Sequence, residues 1–265
     1  LSFDEHAAYF AEHCDKCQGK RFVIEEEKRV ICSCQSKALV KHRYDQIPTD
    51  LKNKDWEDYT GDFIQNNKEI RVVNWKESRD IAFGYCFSKK SINQLSKCEL
   101  NLDKIKEILE RRFSRSRIKK RYDDGSNLAI LGNSFTGKTL LAALVAKEII
   151  YASVLLIDKD VKWVSFNSLI NSLSFNRVDY DLIDEISYVD FLILDNVNAP
   201  KQGNYMKNVI DELFYNRINQ NLPIIITGSS DINRDDYPNR QALGDEFYRF
   251  LNSAKTQKII LQQSK

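Results

Sequence analysis

A chain of 265 residues, 42% hydrophobic and 29% charged, carries enough apolar surface to bury a core. Its formal charge of +2 is too near zero to attract nucleic acid by itself, so any basic surface must come from local clustering. No run approaches the ~20 apolar residues of a membrane span, and LSFDEHAAYF is too acidic and broken for a signal peptide, so a cytoplasmic protein is expected.

Residues 1–47 are expected to form a small metal-binding module. Six cysteines in a reducing compartment argue for metal rather than disulfides. Cys14-x-x-Cys17 is followed, after fourteen residues, by Cys32-x-Cys34, which gives four soft ligands for a closed tetrahedral zinc site. The second pair is tighter than the usual spacing, and His13 is an alternative to one thiolate. His6 and His42 read as incidental, and Cys86 and Cys98 as ordinary buried thiols. Between the two pairs, KRFVIEEEKRVI alternates like a short hairpin. So small a module buries too little to stay folded without its metal, which makes Zn2+ structural.

The remainder, 48–265, reads as one larger domain. Residues 50–90 are rich in aromatics, with a helical WKESRDIAFGYCF expected to pack against that domain. A basic helical insertion follows at about 88–122. Seven of its last twelve residues are basic: Arg111, Arg112, Arg115, Arg117, Lys119, Lys120 and Arg121. With Phe113 and Tyr122 interleaved, the run suits phosphate contacts on DNA, single-stranded or duplex; its other reading is a solvated helix face. Asp123-Asp124-Gly125-Ser126 closes it as a turn. Beyond the turn, NLAILG, VKWVSF, FLILD, PIIITG and KIIL are continuous apolar runs separated by longer amphipathic ones such as TLLAALVAKEIIYA. Strands buried on both faces of a parallel sheet, with helices as crossovers, produce this pattern, and the fold class is α/β.

Gly132-Asn133-Ser134-Phe135-Thr136-Gly137-Lys138-Thr139 follows the first of these strands and opens the first long helix. In that context GxxxxGK[ST] is a phosphate-binding loop. Backbone N–H groups from residue 134 into the first helical turn, which includes Leu140, cradle phosphates. Lys138 places its ammonium between the β- and γ-phosphates, and the Thr139 hydroxyl is placed to ligate magnesium. Asp195, closing FLILD, is the candidate second magnesium residue. The next position is Asn196, an amide that orients water but cannot accept its proton, so slow hydrolysis is expected. Asp184 and Glu185 read as a solvated helix face. Thr227, Ser229 and Ser230 end the PIIITGSS strand and are candidates for sensing the γ-phosphate. Arg249 lies on a later helix and is a candidate to reach the nucleotide of a neighbouring subunit; a surface salt bridge is its other reading. No guanine-reading segment is evident, and ATP is the expected nucleotide.

Taken in order, the cysteine set, RYDQIPTDL, LGNSFTGKTLLA, VDFLILDNV, DELFYNRI, PIIITGSS and YRFL resemble the AAA+ helicase loaders of the DnaC/DnaI type and the related IstB transposition ATPases. The resemblance implies a parallel five-stranded sheet with helices on both sides and no C-terminal helical lid. It matches Lys138 and Thr139 to the Walker A residues, Asp195 to the Walker B aspartate, Ser229 to the sensor and Arg249 to the arginine finger. Arg217 matches a basic residue of the helix before the sensor strand. Asn196 stands where the family has a second acid, and Ser229 where asparagine is common. The resemblance further implies an ATPase that forms ATP-dependent homo-oligomers on DNA and delivers a partner, a replicative helicase or, on the IstB side, a transposase. A scaffold gated by nucleotide with little hydrolysis is a third possibility left open by Asn196.

Overall fold

The computed structural model describes residues 3–25, 28–65, 68–86, 117–152, 159–174, 179–198, 204–234 and 237–264. The chain begins with helix α1 (Phe3–Glu12), the antiparallel hairpin β1 (Phe22–Glu25) and β2 (Lys28–Ile31), and helix α2 (Ser33–Tyr44). The hairpin is the one expected from KRFVIEEEKRVI. Around it Ala11, Cys17, Cys32 and Cys34 are buried, flanked by Phe10, Cys14 and Val23, a very small apolar cluster.

A second antiparallel hairpin, β3 (Asp62–Gln65) and β4 (Lys68–Arg71), was not expected from the sequence, although Asn66-Asn67 between alternating residues is a turn signal. It leads into α3 (Trp75–Cys86), the expected helix. Gly61, at φ 81°, bends the chain over Trp75, whose ring leaves no room for a Cβ. Beyond the hairpin the chain is stitched to the last strand of the molecule. Val73 N donates to Gln262 O at 2.8 Å, and Ser264 N donates to Arg71 O at 2.8 Å.

The large domain is built on β5 (Asn127–Gly132), α4 (Lys138–Ala152), β6 (Val161–Ser165), α5 (Phe166–Ser174), α6 (Tyr180–Tyr188), β7 (Phe191–Val197), α7 (Asn204–Asn219), β8 (Ile224–Gly228), α8 (Tyr237–Leu243), α9 (Asp245–Leu251) and β9 (Thr256–Leu261). Its five strands are all parallel, in the order β6-β7-β8-β5-β9. Strands β5 and β8 are buried at every position, as their unbroken apolar runs require, whereas the edge strands β6 and β9 are buried only in part.

Alternation along the strands divides the core in two. Leu128, Ile130, Ile193 and Ile225 face α4, where Leu141, Val145 and Ile149 meet them, and Ile47, Tyr59, Val72, Ala82 and Tyr85 from the preceding segment cover the outer side of that helix. Helix α4 is apolar nearly all round because it lies between two layers. Ala129, Leu131, Leu192 and Ile226 face the other way, against Leu169, Ile186, Phe214, Phe247 and Phe250 of α5, α6, α7 and α9. Each fully buried aliphatic side chain contributes about 1.5–3 kcal/mol, so this region is stabilised chiefly by area removed from water. The connection leaving β5 runs over one face, and the connection from β8 to β9 runs over the other. Between such neighbouring strands a crevice opens at their carboxyl ends, where ligands of open α/β sheets bind.

Candidate functional site

The loop 133–137 occupies that crevice. Gly137 has φ 78°, and a Cβ there would meet Phe63 Cζ at 2.3 Å and Tyr59 Cε2 at 2.9 Å. At Gly132 a Cβ would meet Leu261 Cβ and Thr136 Oγ1, each at 2.9 Å. Both glycines are therefore required by close approach, and Gly137 by its backbone angle as well. Thr136 is fully buried and donates to Asn133 O at 2.9 Å, which closes the loop on itself. Lys138 Nζ reaches back to Asn133 O at 2.5 Å, and burial holds its ammonium below the ordinary lysine range, against the pull of Asp195. Phe135 stands at φ 62° with 54% of its surface exposed, an unusual backbone for a bulky residue.

Thr139, in the first turn of α4, donates to Asp195 Oδ1 at 3.0 Å, although 56 residues separate them. Thr227 on β8 donates to the same oxygen at 2.5 Å and accepts from Asn196 N at 2.8 Å. The start of one helix and the end of one strand thus converge on the carboxylate of another. Asn196 has φ 64°, and the register between β7 and β8 is irregular at this point. Asparagine is among the few side chains that tolerate a left-handed backbone, a local reason for an amide where the resemblance places an acid. Of the three sensor candidates, Thr227 touches Asp195, and Ser230 donates to Asn133 Oδ1 of the loop at 2.9 Å. Ser229 instead caps the short 3-10 turn Ser230–Asn233 and is engaged with Asp231. Sequence reasoning had not singled out Tyr59 or Phe63; the signal was the aromatic density of residues 50–90.

Arg249 lies at the other end of the sheet. It is exposed, donates to Glu246 Oε2 at 3.0 Å, and lines a cavity together with Asn127 and Ile224, the first residues of β5 and β8. A strand of that length spans roughly 20 Å, so Arg249 is out of reach of the loop in its own chain. Arg217 is fully buried. Its guanidinium donates to the carbonyls of Ile186, Val189 and Pro223 at 2.9, 2.8 and 2.7 Å, clamping the end of α6 to the start of β8, and burial brings it down to about 9. Glu185 pairs with Lys162 at 2.7 Å, and Asp184 is exposed, in line with the solvated face expected for them.

The basic run falls largely outside the described residues. Within its described end, 117–123, Arg121 lies 4.9 Å from the centre of the Tyr85 ring and donates to Tyr85 O at 3.3 Å. Arg117 is half-buried, and Lys119 pairs with Asp123 at 2.8 Å. Arg121 thus braces this helix against α3, while Lys119 and Lys120 are exposed.

The four sulfurs of Cys14, Cys17, Cys32 and Cys34 lie within 4.8 Å of one another. Cys14–Cys32 and Cys17–Cys34 are each 3.6 Å apart. Four thiolates ~2.3 Å from a zinc ion would be spaced at about 3.8 Å, so the set fits that ion. Gln18 and Gly19, at φ 47° and 84°, turn the chain back after the first pair. Cys32 is the N-cap of α2 and Cys34 lies in its first turn, which is why one intervening residue suffices. The N–H of Cys17, despite partial burial, brings the Cys14 thiol down to about 7, while burial pushes Cys34 up to about 12. Gln35 Nε2 donates to Cys34 Sγ at 3.3 Å. His13 is turned away onto Tyr9 O at 2.9 Å, and among the described residues the four cysteines alone make such a cluster.

In the sheet, β8 lies between the strand that carries the phosphate loop and the strand that ends in Asp195. All five strands are parallel and helices flank both faces. The fold is of the P-loop AAA+ type. No protein-family model matches the sequence, and no curated protein does. Among solved structures the chain is similar to DnaI, at 22% identity over 63% of this chain and 87% of that one, TM-score 0.43. It is also similar to the DnaC helicase loader, at 16% identity over 66% and 100%, TM-score 0.41, and to AMPPCP-bound DnaA from Aquifex aeolicus, at 17% over 57% and 46%, TM-score 0.42. The fold of this chain is read from its own five-stranded parallel sheet with flanking helices. Among the described residues no helix is long and apolar enough to cross a membrane.

Proposed function

We propose that this chain binds ATP with Mg2+ at the 132–140 loop and acts as a DNA-associated loader or adaptor, assembling as a homo-oligomer and delivering a partner such as the replicative helicase. The observation that carries the nucleotide part is the convergence of Thr139 and Thr227 on Asp195 beside a loop whose two glycines leave no room for a Cβ. A bound nucleotide supplies a phosphoanhydride and a γ-phosphate whose presence or loss distinguishes two states of the site. Gly132 through Leu140 surround the phosphates, with the N–H groups from residue 134 onward donating. Lys138 exchanges its carbonyl partner for phosphate oxygens and balances their charge. Thr139 and Asp195 hold the magnesium, and Thr227 fixes the carboxylate in place.

The loader role, the DNA and the partner rest on the ordered motifs of the sequence. Asn196 orients water without taking its proton, so turnover is slow and the bound nucleotide serves as a switch. Arg249 is directed to the nucleotide of a neighbouring copy, in keeping with its place at the far end of the sheet. The amide of Asn196, which cannot take a proton from water, also favours a second reading, a nucleotide-gated scaffold that hydrolyses almost nothing.

Binding of a fluorescent ATP analogue with Mg2+ tests the site. Lys138→Ala and Asp195→Ala are each expected to weaken it by at least about tenfold, the loss of one charge-assisted contact; equal affinity in all three proteins overturns the assignment. Phosphate release well above about one per second in the presence of DNA would overturn the slow-hydrolysis reading. Affinity capture that returns a transposase in place of a helicase would move the protein to the transposition side of the resemblance.

A further inference from the structure

The four sulfurs of the cysteine module are not equally shielded. Cys17, Cys32 and Cys34 are 3%, 1% and 4% exposed, whereas Cys14 is only half-buried. Beside it opens a cavity of about 690 Å³ that Cys14 and Cys34 both line, with Tyr9 and Phe10 among its walls. The charged side chains around it are Lys16 and Lys37 against one carboxylate, Asp15. The cysteine set therefore has one open side, on which a small solute meets Cys14 first.

Sulfurs that serve as metal ligands are held as thiolates, the form that reacts with oxidants. An oxidation-sensitive cysteine also needs access and a second thiol within reach. Cys14 has both: the cavity gives access, and Cys32 Sγ lies 3.6 Å away, 18 residues on in the chain. Little else holds the module together. Its buried cluster is Ala11 with three of the cysteines, so breaking up the sulfur set removes most of what orders α1 and the β1–β2 hairpin.

We infer that Cys14 is an oxidation site, at which a hydroperoxide entering the cavity drives a Cys14–Cys32 disulfide and takes the module apart. Cys14 Sγ attacks one peroxide oxygen, the O–O bond breaks, and hydroxide leaves a sulfenic acid behind. Cys32 Sγ then attacks Cys14 Sγ; the S–S bond forms, the S–O bond breaks, and a second hydroxide leaves. Two protons from solvent neutralise the hydroxides, so two thiolates give up two electrons and the peroxide is reduced to water. Only Cys17 and Cys34 then remain as ligands, too few for a closed tetrahedral site. A dithiol reductant reverses the change. This oxidation presupposes zinc in the cysteine set and nothing of the nucleotide function.

The test is to treat the zinc-loaded chain anaerobically with hydrogen peroxide. Released zinc is followed with a chromogenic chelator, and the thiols are mapped by differential alkylation and mass spectrometry. Zinc is expected to leave in step with the Cys14–Cys32 disulfide, before the fully buried Cys86 reacts. Helical circular dichroism falls with it and returns on adding dithiothreitol and zinc. Cys14→His removes the sulfur on the open side and keeps the site closed, since three thiolates and one imidazole also bind zinc. This variant is expected to retain its metal under peroxide that empties the unaltered protein. Where it does not load zinc, the thiol map of the unaltered protein decides alone. Zinc that stays bound while Cys14 and Cys32 are oxidised, zinc release with Cys14 still reduced, or equal release from Cys14→His overturns the inference. Protein that carries no zinc when purified overturns it together with the metal assignment.

Discussion

The sheet domain and the cysteine module solve the same problem by different means. In the sheet domain two continuous apolar clusters lie on either face of five strands, and α4 is buried so completely that its sequence is apolar nearly all round. In the module the buried cluster consists of Ala11 and three of the four cysteines, and Ile24 and Ile31 of the hairpin stand 74% and 76% exposed. One region is stable because it removes area from water; the other gathers four sulfurs instead. Hydrophobic content by itself is therefore a poor guide to which part of this chain is ordered.

Metal removal tests this contrast most severely. Binding of a structural zinc is worth ~10 kcal/mol or more at neutral pH, so a chelator, or Cys17→Ser, is expected to unfold α1 and the β1–β2 hairpin while the sheet domain keeps its own transition. Circular dichroism with a parallel assay of released zinc reads both, and an unchanged spectrum on full metal loss would break the comparison. The converse change is Ile193→Ala, in the centre of β7 and fully buried. It should cost about 2–5 kcal/mol in denaturant unfolding and leave the zinc content alone.

Gly137→Ala probes the contact between the phosphate loop and the segment that joins the two regions. The left-handed φ and the collision with Phe63 are expected to cost about 1–3 kcal/mol and to weaken nucleotide binding. Unaltered binding would show that Tyr59 and Phe63 merely rest on the loop.

The smallest effect lies at the junction itself, where Asp45 pairs with Lys41 at 2.6 Å and Lys52 at 2.9 Å. Burial raises this carboxyl, but the two ammonium groups outweigh it and bring it from 3.8 to about 2. The folded state therefore binds fewer protons than the unfolded one. The stabilisation is complete above the unfolded value and is lost as pH falls from near 4 toward 2. After allowance for solvent screening it is worth about 1 kcal/mol, and Asp45→Asn should remove that pH dependence from the module's unfolding.

Much of this was legible in the residues. The inner strands follow from their apolar runs, because strands buried on both faces need them, whereas the edge strands β6 and β9 carry polar residues and are buried only in part. The phosphate loop follows from its spacing between a strand and a helix, and the metal set from the two cysteine pairs. The β3–β4 hairpin escaped because its strands are only four residues each and mostly polar. Of the basic run, most of which lies outside the described residues, Arg121 is held by an aromatic ring 36 residues away in the chain, a partner no local pattern announces.

The sequence by itself determined the α/β class, the spacing of the loop and the two cysteine pairs, since each depends on local spacing and local apolar content. Only the tertiary structure decided that Thr139 of a helix and Thr227 of a strand supply the carboxylate's hydroxyl partners, that Ser230 and not Ser229 touches the loop, and that Arg217 clamps while Arg249 lines a distant cavity. Those outcomes depend on strand order and on which face a side chain meets, and both are set by packing between segments far apart in the chain.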